Sequence, residues 1–305
     1  MAWNRHRQVR RPLDPAAGAA PAKLGKSRTK APTAIVTAAR RLNRAAGTIA
    51  TSVLIDSAME HYRGNFHNKA MWTPIVTSLL SIGVSAHGLS DHRHRPHPVR
   101  DAVYAAAGVV GLIGTGFHVF NVTKKVGGFS WQNLFYSAPL GAPAAMSLSG
   151  LMGFLAERVR DNSPEGEPRV FGLPAARVVA AMTGLSLLGT TAEAGLLHFR
   201  GAFHNPAMLL PVTMPPVAAG LLANAVAGPA GAHRWASKLW LAATAAMGVA
   251  GVGLHAYGVS RGMGGWHNWR QNAFAGPPLP APPAFTGLAL AGLAALALMK
   301  QHARD

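Results

Sequence analysis

Two acids and six histidines recur at matched places along this chain, and their types and spacing suit proton or metal chemistry. Residues 61–74 read HYRGNFHNKAMWTP and residues 198–211 read HFRGAFHNPAMLLP, 137 positions apart. The same offset carries Asp56 onto Glu193, His61 onto His198, His67 onto His204 and His118 onto His255. A carboxylate inside an apolar stretch is costly, so one kept at equivalent places in both halves argues for a proton relay. Histidine titrates near neutrality, and its ring nitrogens bind metals or exchange protons. Three chemistries follow. In the first, the histidines hold a quinone while Asp56 and Glu193 relay protons. In the second, His61 with His118, and His198 with His255, ligate haem b between helices. In the third, imidazole and carboxylate hold a non-haem metal, against which stands the absence of a compact His-x-x-x-His pair. The bland alternative is a hydrogen-bond network that only locks helix ends.

Other matched residues surround these. Arg63 and Arg200 follow the histidines and would either neutralise the nearby acids or reach for lipid head groups. Trp131 and Trp269 fall in loops on the same side, where they would line an apolar ligand or join an interfacial aromatic belt. Gly127-Gly128 match Gly264-Gly265; after a two-residue insertion, Pro139-Leu140 match Pro278-Leu279 at an offset of 139. The chain therefore reads as a tandem duplication. Its halves are not identical, since Glu60 aligns with Leu197 and His87 with Asn224.

The elements that must position these residues follow from composition. Of 305 residues, 49% are hydrophobic and 13% charged, against about 25% charged in soluble domains. Apolar stretches run over 45–60, 71–89, 102–120, 138–156, 178–197, 208–226, 239–257 and 284–299, lengths that suit membrane helices. The expected fold is an all-α polytopic membrane protein with eight transmembrane helices. These would form two tandem four-helix repeats, 45–157 and 178–300, joined by a linker over 158–177. Four spans per repeat give parallel topology, hence pseudo-two-fold symmetry about the membrane normal. With no cysteine, thiolate metal sites, cysteine-ligated clusters and c-type haem attachment are excluded within this chain.

The net charge of +18 would suggest nucleic acid in a soluble protein. Here it reads as topology, and no nucleic-acid partner is expected. With the N-terminus inside, 22 Lys and Arg fall on the inner side and 7 on the outer, which by the positive-inside rule gives N-in and C-in. The composition suggests a bacterial cytoplasmic membrane. Residues 1–44 would form a basic arm, lying on anionic lipid. The loop 90–98, with His92, His94 and His97, reads as a solvated basic turn with no counterpart in the second half.

In helix count and pseudo-symmetry this architecture resembles the quinone-linked integral membrane subunits of bacterial respiratory oxidoreductases. The resemblance implies an anchor or electron-transfer subunit, non-catalytic or quinone-reactive, with quinone or haem b near the extracytoplasmic rim. The basic outer face would dock an acidic extracytoplasmic protein. Two other classes fit the same residues: a transporter or channel for an anionic or proton-coupled solute, and a structural assembly subunit.

Overall fold

The computed structural model describes residues 33–137, 139–228 and 234–302 and is all-α. Of the basic arm expected over residues 1–44, residues 1–32, expected on anionic lipid, lie outside the described residues and residues 34–44 belong to a helix. Helix α1 spans Ala34–Arg63, α2 Thr73–Ser90, α3 Pro98–Thr123, α4 Trp131–Tyr136 and α5 Gly141–Arg160. Then come α6 Ala175–Arg200, α7 Leu210–Ala227, α8 Arg234–Ser260, α9 Trp269–Ala275 and α10 Pro283–His302. Short 3-10 turns, Lys69–Trp72 and Pro206–Leu209, precede α2 and α7. Between α5 and α6, β1 (Arg169–Val170) and β2 (Leu173–Pro174) form a small antiparallel hairpin with Arg169 opposite Pro174.

Local chemistry sets the helix ends. Thr33 caps α1, its hydroxyl accepting from Val36 N at 3.4 Å, so residues 34–44 form about its first three turns. Asn68 and Asn205 open the 3-10 turns by accepting from Ala70 N and Ala207 N, each at 2.9 Å. Pro74 and Pro211 sit in the first turns of the helices that follow, where a missing N–H costs nothing.

Among the described residues, four segments are long and apolar enough to cross a membrane: Pro98–Thr123, Ala175–Arg200, Pro206–Ala227 and Arg234–Ser260. Their outward faces match lipid better than water: Leu112 on α3 is 68% exposed, and Ile113, Phe117, Val249 and Leu254 are exposed as well. The other expected spans do not combine that length with that apolarity; α1, 30 residues long, is long enough but less apolar. Helix α1 is central, packing on α2, α5 and α10, and Leu42, Ile49 and Val53 are shielded by protein. A helix enclosed by its neighbours need not present an apolar surface to lipid. Helix α2 carries a buried hydroxyl row of Thr77, Ser78, Ser81 and Ser85.

Within residues 34–160, α1, α2, α3 and α5 form a square in which α1 and α3 are opposite corners. Helices α6, α7, α8 and α10 are arranged likewise. Small residues allow close packing within each square. Ser147 donates to Gly108 O across α3 and α5 (3.1 Å), and Thr286 to Ala245 O across α8 and α10 (2.8 Å). The halves meet mainly along α1 and α10, and more thinly along α5 and α6.

Candidate functional site

The first histidine of each motif ends a helix and is held by an unusual turn. Gly64 N bonds back to Glu60 O as α1 stops. Asn65 and Phe66 then adopt φ of 53° and 45°, and Ala202 and Phe203 adopt 54° and 47°. Left-handed backbone costs a non-glycine residue about 1–2 kcal/mol, so two in succession mark a place where tertiary structure overrides local preference. The turn brings Phe66 N onto His61 O (3.0 Å) and Phe203 N onto His198 O (3.1 Å). It also sets each phenylalanine ring edge-on to its histidine, with centroids 6.1 and 6.2 Å apart.

Four histidine rings are fixed through Nδ1. His61 donates to Met71 O (2.6 Å), His198 to Met208 O (2.8 Å), His118 to Pro139 O (2.6 Å) and His255 to Pro278 O (2.6 Å). A carbonyl can only accept, so Nδ1 carries the proton and the neutral ring keeps its lone pair at Nε2. His61 lies within electrostatic range of His118, and His198 within range of His255. Each four-helix group therefore presents two oriented Nε2 bases at the same end, from opposite corners. His67 and His204 are exposed and bond Gly64 O (2.9 Å) and Gly201 O (3.0 Å), which closes the turn itself.

The acids gather elsewhere. Asp56 lies within electrostatic range of Glu60 and of Glu193 from the other half. Glu193 accepts from Gly141 N, the first residue of α5, at 3.1 Å. Among the described residues no hydrogen bond or ion pair joins either acid to these histidines. Helix geometry gives the reason: Asp56 and His61, five residues apart, point about 140° from one another around α1. Asp56 thus lies within electrostatic range of Glu193 across the junction of the halves, while each histidine pair lies within one half.

The arginines do not neutralise these acids. Arg63 pairs with Glu60 at 2.8 Å. Arg200 donates to Phe135 O at 2.8 Å and covers the Tyr136 ring at 5.2 Å. Trp131 and Trp269 are largely exposed at the starts of α4 and α9, and Trp131 stacks on Phe135 (5.9 Å). Across the junction, Phe199 stacks on Phe135 (5.9 Å) and Tyr62 on Phe274 (5.5 Å), two contacts between matched positions in exchanged roles. Among the described residues no group of three His, Asp or Glu side chains is placed to hold a metal ion. A shallow, wide-open apolar groove on the outward face of α3, lined by Ile113, Gly116, Phe117 and Phe120 of that helix alone, adjoins His118 in sequence.

Sequence reasoning missed a buried polar cluster at the opposite end, near the linker. Arg100 donates to Glu157 through Nε (2.8 Å) and Nη2 (3.0 Å), and to Asp91 through Nη1 (2.8 Å). Glu157 also accepts from His97 N (2.8 Å). Arg160 donates to the carbonyls of Gly88 (3.1 Å), Asp91 (2.9 Å) and Arg93 (3.0 Å), closing the end of α2. Tyr104 donates to Asn43 Oδ1 (2.7 Å) and meets Ser85 Oγ (3.0 Å). Asn43, Arg100, Tyr104, Glu157 and Arg160 have no exposed surface. Burial opposes ionisation of Asp91, but hydrogen bonds from Arg93 and Arg100 prevail and hold its carboxyl well below the usual range. The loop read as a solvated turn is thus anchored inside by Asp91. At the matched second-half positions stand Ala180, Ser237, Leu241, Leu296 and Met299, all buried. That replacement of polar residues, by apolar ones everywhere but at Ser237, was visible in the aligned halves.

Comparison with known proteins finds no family model, no curated protein and no solved structure that matches this chain.

Proposed function

We propose that this chain is a membrane-embedded electron-transfer subunit that oxidises a quinol at its paired histidines. The observation that carries this reading is the set of four matched rings, each donating Nδ1–H to a carbonyl and leaving Nε2 as a base. A quinol hydroxyl requires an acceptor of that kind. Removal of two protons and two electrons yields the quinone. The protons pass to Nε2 of His61 and His118, or of His198 and His255. The electrons leave one at a time to an oxidised haem- or metal-bearing protein docked on the basic extracytoplasmic rim. Asp56 and Glu193 serve as the next proton acceptors, reached through water. The apolar groove on α3 favours a ligand with a lipid-soluble tail.

The finer architecture belongs to this proposal. The chain is read as eight membrane-crossing helices in two tandem four-helix units, related by a pseudo-two-fold axis along the membrane normal. Both termini lie on the inner side of a bacterial cytoplasmic membrane. The matched histidine bonds and the reciprocal ring stacks support the symmetry, and the charge bias supports the orientation.

The test is quinol-analogue binding and the visible spectrum of the purified full chain. Replacing His61 and His118 by Asn is expected to weaken quinol binding by about tenfold or more, equal to about 1.4 kcal/mol, with a like effect for His198 and His255. His92→Asn, at the other end, is expected to leave binding intact. A Soret band lost with His118→Asn would assign the pair to haem b instead. Unchanged quinol affinity in both double variants, with no Soret band in the parent, would sink the redox reading.

A further inference from the structure

The first half carries a polar row that its counterpart lacks. Thr77, Ser78, Ser81 and Ser85 are buried on one face of α2, as spacings of three and four residues dictate. Ser85 Oγ meets Tyr104 Oη, which donates to Asn43. Tyr104 in turn lies within electrostatic range of Arg100, Glu157 and Arg160. Ser78 and Ser81 are 0% exposed, and their hydroxyls have no hydrogen-bond partner. Several helical hydroxyls elsewhere satisfy themselves locally: Ser186 bonds Met182 O (2.7 Å) and Thr115 bonds Gly111 O (2.8 Å), whereas Thr183 and Thr191 on α6, like Ser78 and Ser81, do not. A buried hydroxyl left unbonded costs about 1–3 kcal/mol, and buried water is its usual remedy. At the linker end, His94 Nδ1 and His97 Nδ1 are likewise buried without partners. Unsatisfied polar atoms therefore flank the bonded Ser85–Tyr104–Asn43 row on both sides.

The row points toward the histidine site. Ser85 and Ser78 are seven residues apart, about 10 Å along α2. A similar separation leads from Ser78 to Met71, whose carbonyl holds His61. At the matched second-half positions stand Met214, Pro215, Ala218, Leu222, Leu241 and Ala180, with no hydroxyl among them.

We propose that the first half encloses a water-bearing column running from the linker end past Tyr104, Ser85, Ser81 and Ser78 toward His61 and His118. It is a route for water and protons whose matched positions in the second half carry no hydroxyl. The proposal rests on the histidine reading for the destination of the protons only.

The chain has no cysteine, so a single introduced thiol reports its own surroundings. Ser78→Cys, Ser81→Cys and Ala218→Cys are made in the full chain in lipid vesicles, then treated with 2-aminoethyl methanethiosulfonate. Apolar surroundings raise a thiol's pKa, and each unit lowers the reactive thiolate about tenfold. Cysteines at 78 and 81 are expected to react about tenfold or more faster than at 218; equal rates overturn the column. Proton flux under a potassium diffusion potential reads the second part. Ser78→Ala with Ser81→Ala, small residues like the Ala already at 218, is expected to slow flux relative to the parent, and unchanged flux overturns the proton route. Neither measurement involves quinol, so failure here is separable from failure of the histidine reading.

Discussion

Asp91 shows how much of this protein's polar chemistry depends on partners distant in sequence. Its carboxylate holds Arg93 and Arg100, and those bonds outweigh burial in keeping it ionised. An unfolded aspartate titrates near 3.9. Because the folded value is depressed, the stabilisation is complete above about pH 4 and is lost as pH falls toward the folded value. Thermal unfolding followed from pH 7 downward is expected to show a drop in Tm below about pH 4. Asp91→Asn should be less stable at neutrality and should show a shallower acid fall; an identical acid limb would remove Asp91 as its cause. The histidines were easier to find, because the two matched segments display them twice. Asp91 and Glu157 were hidden, because charges at helix ends look like ordinary loop charges until their partners are known.

At the scale of helices, packing depends on which face each glycine occupies. The sequence shows Gly108, Gly111, Gly114 and Gly116 on one segment without distinguishing them. In the fold, a β-carbon on Gly111 would sit 2.3 Å from Ser147 N, whereas one on Gly116 would meet nothing within 4 Å. Gly111→Ala is therefore expected to push α3 from α5 and cost about 1–3 kcal/mol. Gly116→Ala should cost nothing and gain slightly from helix propensity. Chemical unfolding of the two variants decides it, and equal stabilities would contradict the close approach. Helix faces explain the site as well. Asp56 and His61 share α1, and Glu193 and His198 share α6, but each pair points different ways, so the sequence could place them at similar heights and not on separate surfaces.

For the molecule as a whole, the halves share their histidine turns and differ at the linker end. The Arg100–Glu157 pair is fully buried, and removing one member of such a pair costs about 3–5 kcal/mol because the other charge is stranded. Glu157→Leu alone should destabilise by about that amount. Adding Arg100→Ser and Arg160→Met, which copies the second-half residues, should recover part of the loss, since the guanidinium groups that faced Glu157 are then no longer stranded. A triple variant no more stable than the single one would mean that the first half cannot accept the second half's packing. By itself the sequence determined the helical class, the membrane-compatible apolarity and the matched acids and histidines, because composition and repetition are properties of the linear chain. The tertiary structure decided which ring nitrogen of His61, His118, His198 and His255 is held by a carbonyl, which acids lie within electrostatic range across the halves, and that a charged cluster lies buried near the linker. Those depend on contacts between residues tens to more than a hundred positions apart, where helix rotation and the choice of neighbour set every partner.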